Sequence, residues 1–251
     1  MLEKKSEFNV LPIPVLQDNI VWIWVENSNA VVIDPSISSP IKEWLLNKNL
    51  SLKAILQTHH HEDHIGGTQE LLKSWPDAKV IASKKDLKRI PFQTFSVNNN
   101  DIFYLLNSQV KVIEVNGHTK NHIAFYISKE NSKCNILFPG DTLFGAGCGR
   151  LLEGTPSQMF ESLNKLNSLP KNTKIYSAHE YTENNLKWAL SLKSNDSFII
   201  ERLKLVQNKR QKGITSLPST ISEERKTNLF LRAKNVKELT ILRKHKDNWK
   251  C

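Results

Sequence analysis

Residues 57–67, QTHHHEDHIGG, place four histidines and two carboxylates within six consecutive positions. Imidazole nitrogen and carboxylate oxygen are the donors that borderline divalent ions such as zinc accept. Side chains alternate along an extended chain, so His59 and His61 can share one ion while Asp63 and His64 serve a second. The segment therefore predicts a metal site, and the fold must bring further ligands to it.

Three more apolar runs each lead to a histidine or an aspartate: VKVIEV before His118, NILFP before Asp141 and TKIYSA before His179. KAILQT (53–58) leads into the histidine segment in the same way. The ends of several strands can converge on one edge of a sheet, where functional loops gather. A catalytic zinc uses three protein ligands and an open position, so the seven residues together are enough for two ions.

The donor set predicts two divalent metal ions per chain. Zinc suits it best, and iron and manganese are alternatives because they also accept nitrogen and carboxylate oxygen. The remaining histidines are expected not to be ligands. His60 points the other way between two ligands, and His122 and His245 have no ligand partners nearby in sequence.

The chain is predicted to have two parts. Up to about residue 180, short β-type runs such as IVWIWV (20–25) and AVVID (30–34) alternate with helices, for which Thr68 is an expected N-cap and Thr155 opens a capping box. From Thr182 the pattern is amphipathic helix and β-type runs disappear. We therefore predict two domains, one over 1–180 that carries the candidate metal ligands and a basic α-helical one over 181–251.

Positive charge is concentrated in the second part. Residues 182–251 hold sixteen Lys or Arg against seven Asp or Glu, and the whole chain has a formal net charge of +10. Such a field raises the local concentration of anionic partners. Charge alone leaves nucleic acid and a small anionic substrate as alternatives, beside a merely solvated helical surface.

Composition excludes several other classes. No run of about 18 apolar residues is present, so no transmembrane helix is expected. The opening MLEKKSEFNV has charge but no apolar stretch after it, so a secretory signal is not expected. Cys134, Cys148 and Cys251 are an odd number at irregular spacing, which favours reduced thiols and a cytoplasmic location.

The segment THHHEDH resembles the metal-binding motif of the metallo-β-lactamase superfamily, whose hydrolases act on thioesters, lactams, lactones and RNA. Longer stretches are similar to glyoxalase II, the hydroxyacylglutathione hydrolase family: LPIPVLQDN (11–19), FPGDTLFGAGCGRLLEGT (138–155), AHEYTENNLKWA (178–189) and LRKHKDNW (242–249). The resemblance implies an α/β (α+β) fold, an αββα metallo-β-lactamase sandwich with a C-terminal α-helical domain. It also implies that residues 1–180 are the catalytic domain and residues 181–251 the substrate-binding domain.

The resemblance also implies an activity. It is hydrolysis of S-(R)-lactoylglutathione and related S-2-hydroxyacylglutathiones, by attack of a metal-bridging hydroxide, in the second step of methylglyoxal removal. The products would be D-lactate and glutathione. Carried over residue by residue, the ligands of one metal are His59, His61 and His118, those of the other are Asp63, His64 and His179, and Asp141 bridges both. Asp63 would also orient the hydroxide.

Four residues match the family's substrate-binding positions: Arg150, Tyr181, Arg243 and Lys246. Arg243 and Lys246 are three apart and would share a helical face. The chain departs from the family pattern at three positions besides Arg150, which keeps the charge of the lysine that some relatives have and can bind a carboxylate bidentately. Asn116 and Asn121 replace a proline and a glycine near His118, which affects the rigidity of that loop. Leu152 replaces a tyrosine, so one contact to the glycine end of glutathione is expected to be missing.

Two other functions remain open from the sequence. A metal-dependent nuclease of the same superfamily would use the same metal residues and basic tail, but its affinity would fall steeply with salt. A metal-stabilised binding protein without turnover is the second. With glutathione thioester as the partner, we expect a monomer that binds neither nucleic acid nor membrane.

Overall fold

A computed structural model describes residues 8–128 and 135–250. Its first sheet has six strands, in the spatial order β1 to β6. Their bounds are β1 (Asn9–Val15), β2 (Asn19–Glu26), β3 (Asn29–Ile33), β4 (Ser51–Leu56), β5 (Lys79–Ser83) and β6 (Phe95–Val97). The first three strands are antiparallel neighbours, and β4, β5 and β6 are each parallel to the preceding strand.

The second sheet also has six strands, in the order β14-β13-β10-β9-β8-β7. Its strands are β7 (Ile102–Leu105), β8 (Ser108–Glu114), β9 (Ile123–Ser128), β10 (Ile136–Phe138), β13 (Lys174–Ile175) and β14 (Ser219–Thr220). β10 and β13 are parallel, and the other pairs are antiparallel. A small hairpin, β11 (Leu143–Phe144) and β12 (Gly147–Cys148), lies outside both sheets.

The described residues also contain eight α-helices: α1 (Ser39–Asn47), α2 (Glu62–Ile65), α3 (Thr68–Ser74), α4 (Pro156–Asn167), α5 (Thr182–Leu192), α6 (Ser197–Gln211), α7 (Ile221–Thr227) and α8 (Val236–Asn248). α1 and α3 cover the outer face of the first sheet. α4 to α8 cover the outer face of the second.

Three apolar clusters separate these layers. Between the sheets, Trp22 and Leu56 of the first share a core with Phe125 of the second. Ile41 and Leu45 of α1 belong to a second cluster, on the outer side of the first sheet. The third cluster joins the second sheet to α4–α8. The order helix, sheet, sheet, helix confirms the predicted αββα sandwich.

Strand burial follows from position in the sandwich. Residues 20–24 of β2 are buried without alternation, because that strand is covered on both faces. In β8, Ser108, Val110 and Val112 are buried while Gln109 and Lys111 are half-buried, so one face meets the core. The period of two that is typical of an amphipathic strand is therefore visible in β8 but not in β2.

The two predicted helix starts have different outcomes. Thr155 caps α4 in a capping box with Gln158, as expected. The prediction of Thr68 as an N-cap is wrong. Gly67 occupies that position, Thr68 is the first residue of α3, and its hydroxyl lies 2.9 Å from Gln57 Nε2, which donates to it. The hydroxyl is used to anchor the helix to the histidine segment.

The C-terminal part is helical, as predicted, but β structure does not disappear from it. β14 pairs with β13 and so extends the second sheet. TKIYSA forms only the two-residue strand β13, because the rest of that run leaves the sheet toward His179. Trp188 and Leu239 share one cluster with Leu137 of the sheet. The boundary near residue 180 stays a prediction.

Within the described residues, no helix combines the length and the apolarity needed to cross a membrane. Cys148 is buried and is not in a disulfide. The other two cysteines of the sequence, Cys134 and Cys251, lie outside the described residues.

Candidate metal centre and substrate pocket

The seven predicted metal ligands come together at one edge of the sandwich, where the strands that precede them end. His59, His61 and His118 form one group of donors. His61 Nδ1 lies 3.0 Å from His59 Nε2 and 3.1 Å from His118 Nε2. The three rings thus direct nitrogens at a common point, although His118 is 57 residues from His61 in the chain.

A second group consists of Asp63, His64 and His179. The Nε2 atoms of the two histidines lie 3.4 Å apart. Asp63 Oδ2 lies 3.6 Å from His64 Nε2 and 3.5 Å from His179 Nε2. Asp63 and His64 belong to the single helical turn α2, which turns them away from the extended residues before it.

Asp141 lies between the two groups. Its Oδ1 is 3.3 Å from His64 Nε2 and 3.4 Å from His179 Nε2. Its Oδ2 is 3.4 Å from His118 Nε2. One carboxylate oxygen therefore faces each group, which is the arrangement that a bridging ligand requires.

The spacing fits metal ligands. An ion held tetrahedrally at about 2.0–2.1 Å keeps its donor atoms about 3.3–3.4 Å apart. Within each of the two groups, the contacting histidine nitrogens lie 3.0–3.4 Å apart. The acidic residues add 3.3–3.6 Å contacts to the same nitrogens. Donor identity and spacing thus both suit two divalent ions.

Two histidines of the first group, His59 and His61, are held neutral. Burial, followed by repulsion from neighbouring histidines, lowers the pKa of His59 well below its ordinary value. Burial and the nearby His118 lower the pKa of His61 to about 4. Neutral imidazole is the form that binds a metal, so these side chains need not lose a proton first.

Carboxylates reverse the effect of burial in the second group. Burial alone lowers the pKa of His179, but Asp141 and Asp18 outweigh it and raise the pKa to about 9. The pKa of His64 is likewise raised, since Asp141 and Asp34 outweigh its burial. A divalent ion bound here would supply the positive charge that these protons represent.

Two of these carboxylates were not anticipated. Asp18 Oδ1 lies 2.8 Å from His179 Nδ1, and Asp34 Oδ2 lies 3.1 Å from His64 Nδ1. A carboxylate on the far nitrogen fixes the orientation of a metal-binding imidazole. Asp34 directly follows β3, and AVVID carries the same signal, an acidic residue ending an apolar run, that pointed to Asp141.

Two further ligands are held by polar contacts. Asn19 Nδ2 donates to the backbone oxygen of Asp63 at 3.0 Å and to Asp63 Oδ2 at 3.2 Å. His118 Nδ1 lies 2.9 Å from the backbone oxygen of Arg150. The ring of His118 is thus tied to a residue that the sequence assigns to substrate binding.

The three histidines expected not to be ligands lie outside the donor groups. Each has another contact: His60 with Arg89 Nη1 at 3.2 Å, His122 Nε2 with the donating backbone nitrogen of Asp141 at 3.1 Å, and His245 Nδ1 with the donating Trp188 Nε1 at 3.0 Å. The imidazoles are therefore used in packing and positioning.

A cavity of about 540 Å³ opens beside the metal edge. His118 and Asp141 line one end of it. The four residues predicted to bind substrate also line it: Arg150, Tyr181, Arg243 and Lys246. The fold thus brings α8, at the end of the chain, to the same cavity as the metal ligands.

The basic side chains of the cavity are held in different ways. Arg243 is buried, with Nε 2.9 Å and Nη2 2.8 Å from Asp247 Oδ1. Its Nη1 donates to the backbone oxygen of Cys148 at 3.0 Å. Lys246 Nζ lies 4.5 Å from the ring centroid of Trp249, close enough for a cation–π contact. Arg150 is exposed at the rim.

Polar contacts hold the loop that carries His118 despite its departures from the family pattern. Asn121 Nδ2 donates to the backbone oxygen of Lys85 at 3.1 Å. The backbone oxygen of Asn116 accepts from Ser162 of α4 at 2.7 Å. Gly117 between them has φ +146°, which a residue with a side chain rarely adopts.

Leu152, the third departure, is 60% exposed and lines the cavity. It presents an apolar surface at this position of the rim. The contact expected to be missing from the glycine end of glutathione stays a prediction.

The αββα sandwich with this histidine and aspartate edge defines a metallo-β-lactamase fold. Residues 13–179 match the metallo-beta-lactamase superfamily, and residues 180–249 match the hydroxyacylglutathione hydrolase C-terminus. A hydroxyacylglutathione hydrolase of Prochlorococcus marinus strain NATL2A is 75% identical over 251 residues, covering 100% of both chains. The chain therefore belongs to the hydroxyacylglutathione hydrolases of this superfamily.

Solved structures agree on the fold. The crystal structure of ETHE1 from Myxococcus xanthus has a TM-score of 0.70 at 22% identity, over 98% of this chain and 92% of that one. TTHA1623 in a di-iron-bound form has a TM-score of 0.55 at 25% identity, over 68% of this chain and 91% of that one.

Proposed function

We propose that the chain hydrolyses the thioester of S-(R)-lactoylglutathione, and of related S-2-hydroxyacylglutathiones, to the hydroxy acid and glutathione. With the lactoyl substrate the acid is D-lactate, and the reaction is the second step of methylglyoxal removal. The observation that carries the proposal is the cavity that runs from His118 and Asp141 to the basic residues of α8. An anionic peptide there would leave its thioester beside the metal donors.

We propose that the first metal is held by His59, His61 and His118, the second by Asp63, His64 and His179, and both by Asp141. Two ions so held would supply a water of lowered pKa and positive charge for the developing oxyanion. Zinc suits the histidine-rich set, and iron or manganese is the alternative. Superfamily membership and the spacing of the donors support a binuclear site.

Asp63 is proposed to orient the attacking water and to accept its proton. Its side chain is 42% exposed, so one part of the carboxylate faces solvent while Asn19 donates to Oδ2. The leaving group is a thiolate with an ordinary pKa near 8.5, so it departs with little need for a proton donor. Positioning is then the main task of the remaining residues.

The anchors of the peptide are proposed to be Arg150, Tyr181, Arg243 and Lys246. The ring of Tyr181 stacks on His179, with ring centroids 4.8 Å apart. Burial and then the carboxylate of Asp18 raise the pKa of Tyr181, so its hydroxyl stays protonated and can donate a hydrogen bond. Since Arg243 already binds Asp247, the exposed Arg150 is the cation best placed to meet a carboxylate directly.

The proposal also includes a cytoplasmic monomer that acts on a small molecule and binds neither nucleic acid nor membrane. A buried thiol outside any disulfide at Cys148 supports a reducing compartment. Full-length relatives named hydroxyacylglutathione hydrolase support the small-molecule substrate. They give the nuclease alternative no support.

Loss of thioester absorbance with S-lactoylglutathione, measured with and without a chelator, tests the proposal. We expect rapid hydrolysis that the chelator abolishes and that zinc, iron or manganese restores. Cleavage of RNA without loss of thioester would favour the nuclease. Inertness toward both substrates in protein that retains its metal would favour a binding protein.

A further inference from the structure

The β11–β12 hairpin, residues 143–148, connects two parts of the candidate site. Asp141 precedes it and Arg150 follows it, and its own Phe144 and Cys148 line the cavity. The hairpin has only two cross-strand pairs, Leu143 with Cys148 and Phe144 with Gly147. A hairpin with so few cross-strand pairs is not stable by itself, so contacts from other elements must fix its position.

Side chains from the C-terminal helices supply those contacts. Asn185 of α5 donates to the backbone oxygen of Gly145 at 2.9 Å, and Arg243 of α8 donates to that of Cys148 at 3.0 Å. Asn228, directly after α7, donates through Nδ2 to the backbone oxygen of Gly147 at 3.0 Å. These partners are 40 to 95 residues from the hairpin in sequence.

Glu224 of α7 completes the set. It is fully buried, and its Oε2 accepts from the backbone nitrogen of Ala146 at 2.8 Å and from Asn228 Nδ2 at 3.1 Å. Its Oε1 accepts from Arg202 Nη2 at 2.6 Å, which compensates the buried charge. Ala146 has φ +55°, a left-handed conformation that is unfavourable for a residue with a side chain. The bond to Glu224 stabilises that conformation.

We propose that Glu224 and Asn228 are positioning residues for the substrate pocket, which hold the hairpin so that Cys148, Gly149 and Arg150 form its wall. Substitution of a residue with a purely structural role in the core would change the stability of the protein and leave its affinity for substrate unchanged. A positioning residue changes substrate binding in protein that is folded and loaded with metal. The kinetic part of this inference rests on the proposed thioesterase function.

Two nearly isosteric variants test it. In Glu224→Gln, the amide NH₂ must face either Ala146 N–H or Arg202, so one of these donors loses its acceptor. In Asn228→Asp, an oxygen replaces the nitrogen that faces the backbone oxygens of Phe144 and Gly147. For each, we expect KM for S-lactoylglutathione to rise roughly tenfold, while kcat per bound metal changes less than about threefold.

Glu223→Gln is the matched control. Glu223 lies on the same helix and 3.4 Å from Arg202 Nη2, but none of its contacts is with the hairpin. We expect it to leave KM unchanged. Amide hydrogen exchange of peptides covering 143–150, measured by mass spectrometry, should quicken at least about tenfold in the two test variants and stay unchanged in the control.

Unchanged KM and unchanged exchange in both test variants would overturn the inference, and so would equal effects in Glu223→Gln. Loss of the whole fold in both would also count against it, since the network would then not act locally. Hydrogen exchange requires no turnover. If the wild-type protein hydrolyses no thioester, the proposed function fails while the exchange result still decides whether Glu224 and Asn228 hold the hairpin.

Discussion

Asp141 is the residue on which a two-metal site depends most, because one oxygen faces each group of donors. Burial alone raises its pKa, but His64 and His179 outweigh this and hold the pKa below the usual range of a carboxyl group. It therefore stays ionised, which is the form a metal binds. A side chain with a single donor atom could not contact both groups of donors in this way, which explains the aspartate at this position.

We expect Asp141→Ala to bind fewer than two metal ions per chain and to lose turnover at least about a hundredfold. The substitution removes the donor shared by both groups and leaves their histidines in place. Metal content is measured by inductively coupled plasma mass spectrometry beside thioester hydrolysis. Asp77→Ala, at an exposed carboxylate, is the control. A variant with two metals and full turnover would contradict the bridging role.

Cys148 lines the pocket but is not expected to act as a nucleophile. Burial, partly opposed by Arg243, raises the pKa of its thiol to about 11. The thiol is thus protonated at neutral pH, and the thiolate is the reactive form. The residue packs in the apolar cluster that joins the second sheet to α4–α8, and this packing explains it without any chemistry.

Cys148→Ala is expected to keep turnover within about threefold of wild type, since substitution removes only one small buried group. The raised pKa of the Cys148 thiol also predicts how its alkylation in the wild-type protein depends on pH. Because the folded pKa lies above the ordinary value of 9.0, iodoacetamide should label Cys148 in unfolded protein near pH 9, and in folded protein only as pH approaches 11. Peptide mapping by mass spectrometry checks this. Loss of all turnover with metals intact would show that the thiol takes part in the reaction.

At the scale of elements, α4 supports the loop of His118 from outside the metal edge. Ser162 of α4 donates to the backbone oxygen of Asn116, and Gly117 lies against Met159. The capping box of Thr155 and Gln158 starts the helix at the position these contacts require. A local sequence signal thus places an element that the site uses.

Thr155→Ala should lower the free energy of unfolding by about 1 kcal/mol, because the backbone nitrogen of Gln158 loses its acceptor. Urea unfolding followed by circular dichroism gives the value. Ser157→Ala, at an exposed position on the same helix, should change it by less than about 0.5 kcal/mol. Equal changes in the free energy of unfolding for the two substitutions would mean that the Thr155 cap does not stabilise the helix.

The elements show which local signals could be read in advance. Strands β2 and β3 lie where the runs IVWIWV and AVVID predicted them, and α5 begins at Thr182, where the pattern becomes helical. Thr68 had the same apparent signal as Thr155, yet its hydroxyl binds Gln57, eleven residues earlier. A hydroxyl before a helical pattern has several acceptors and donors to choose from, and only the packed structure decides among them.

At the scale of the whole molecule, the C-terminal helices form the fourth layer of the sandwich. They share an apolar cluster with β10, β13 and α4, and β14 adds a strand to the second sheet. Their side chains also bond the β11–β12 hairpin. The residues proposed to anchor the substrate and the integrity of the core therefore both depend on this segment.

A chain ending at residue 180 is expected to lack a cooperative thermal transition, because Leu137, Leu163 and Ile175 would be exposed to water. Differential scanning calorimetry measures it. A chain ending at Trp249 is the control, since it keeps every helix. Cooperative unfolding of the 1–180 fragment would show that the predicted catalytic domain is an independent folding unit.

The seven donor residues of the candidate metal site are recognisable in the amino-acid sequence alone. His59, His61, Asp63 and His64 are close in the chain, and His118, Asp141 and His179 each follow an apolar run, so local patterns are sufficient to find them. Tertiary structure alone decided what surrounds them. The contact of Arg243 with Cys148, the contact between Asp18 and His179 and the hydrogen bond from Ala146 to Glu224 join residues whose pairing no local pattern specifies. Hydrogen-bond partners 78 to 161 residues apart are chosen only when the layers pack.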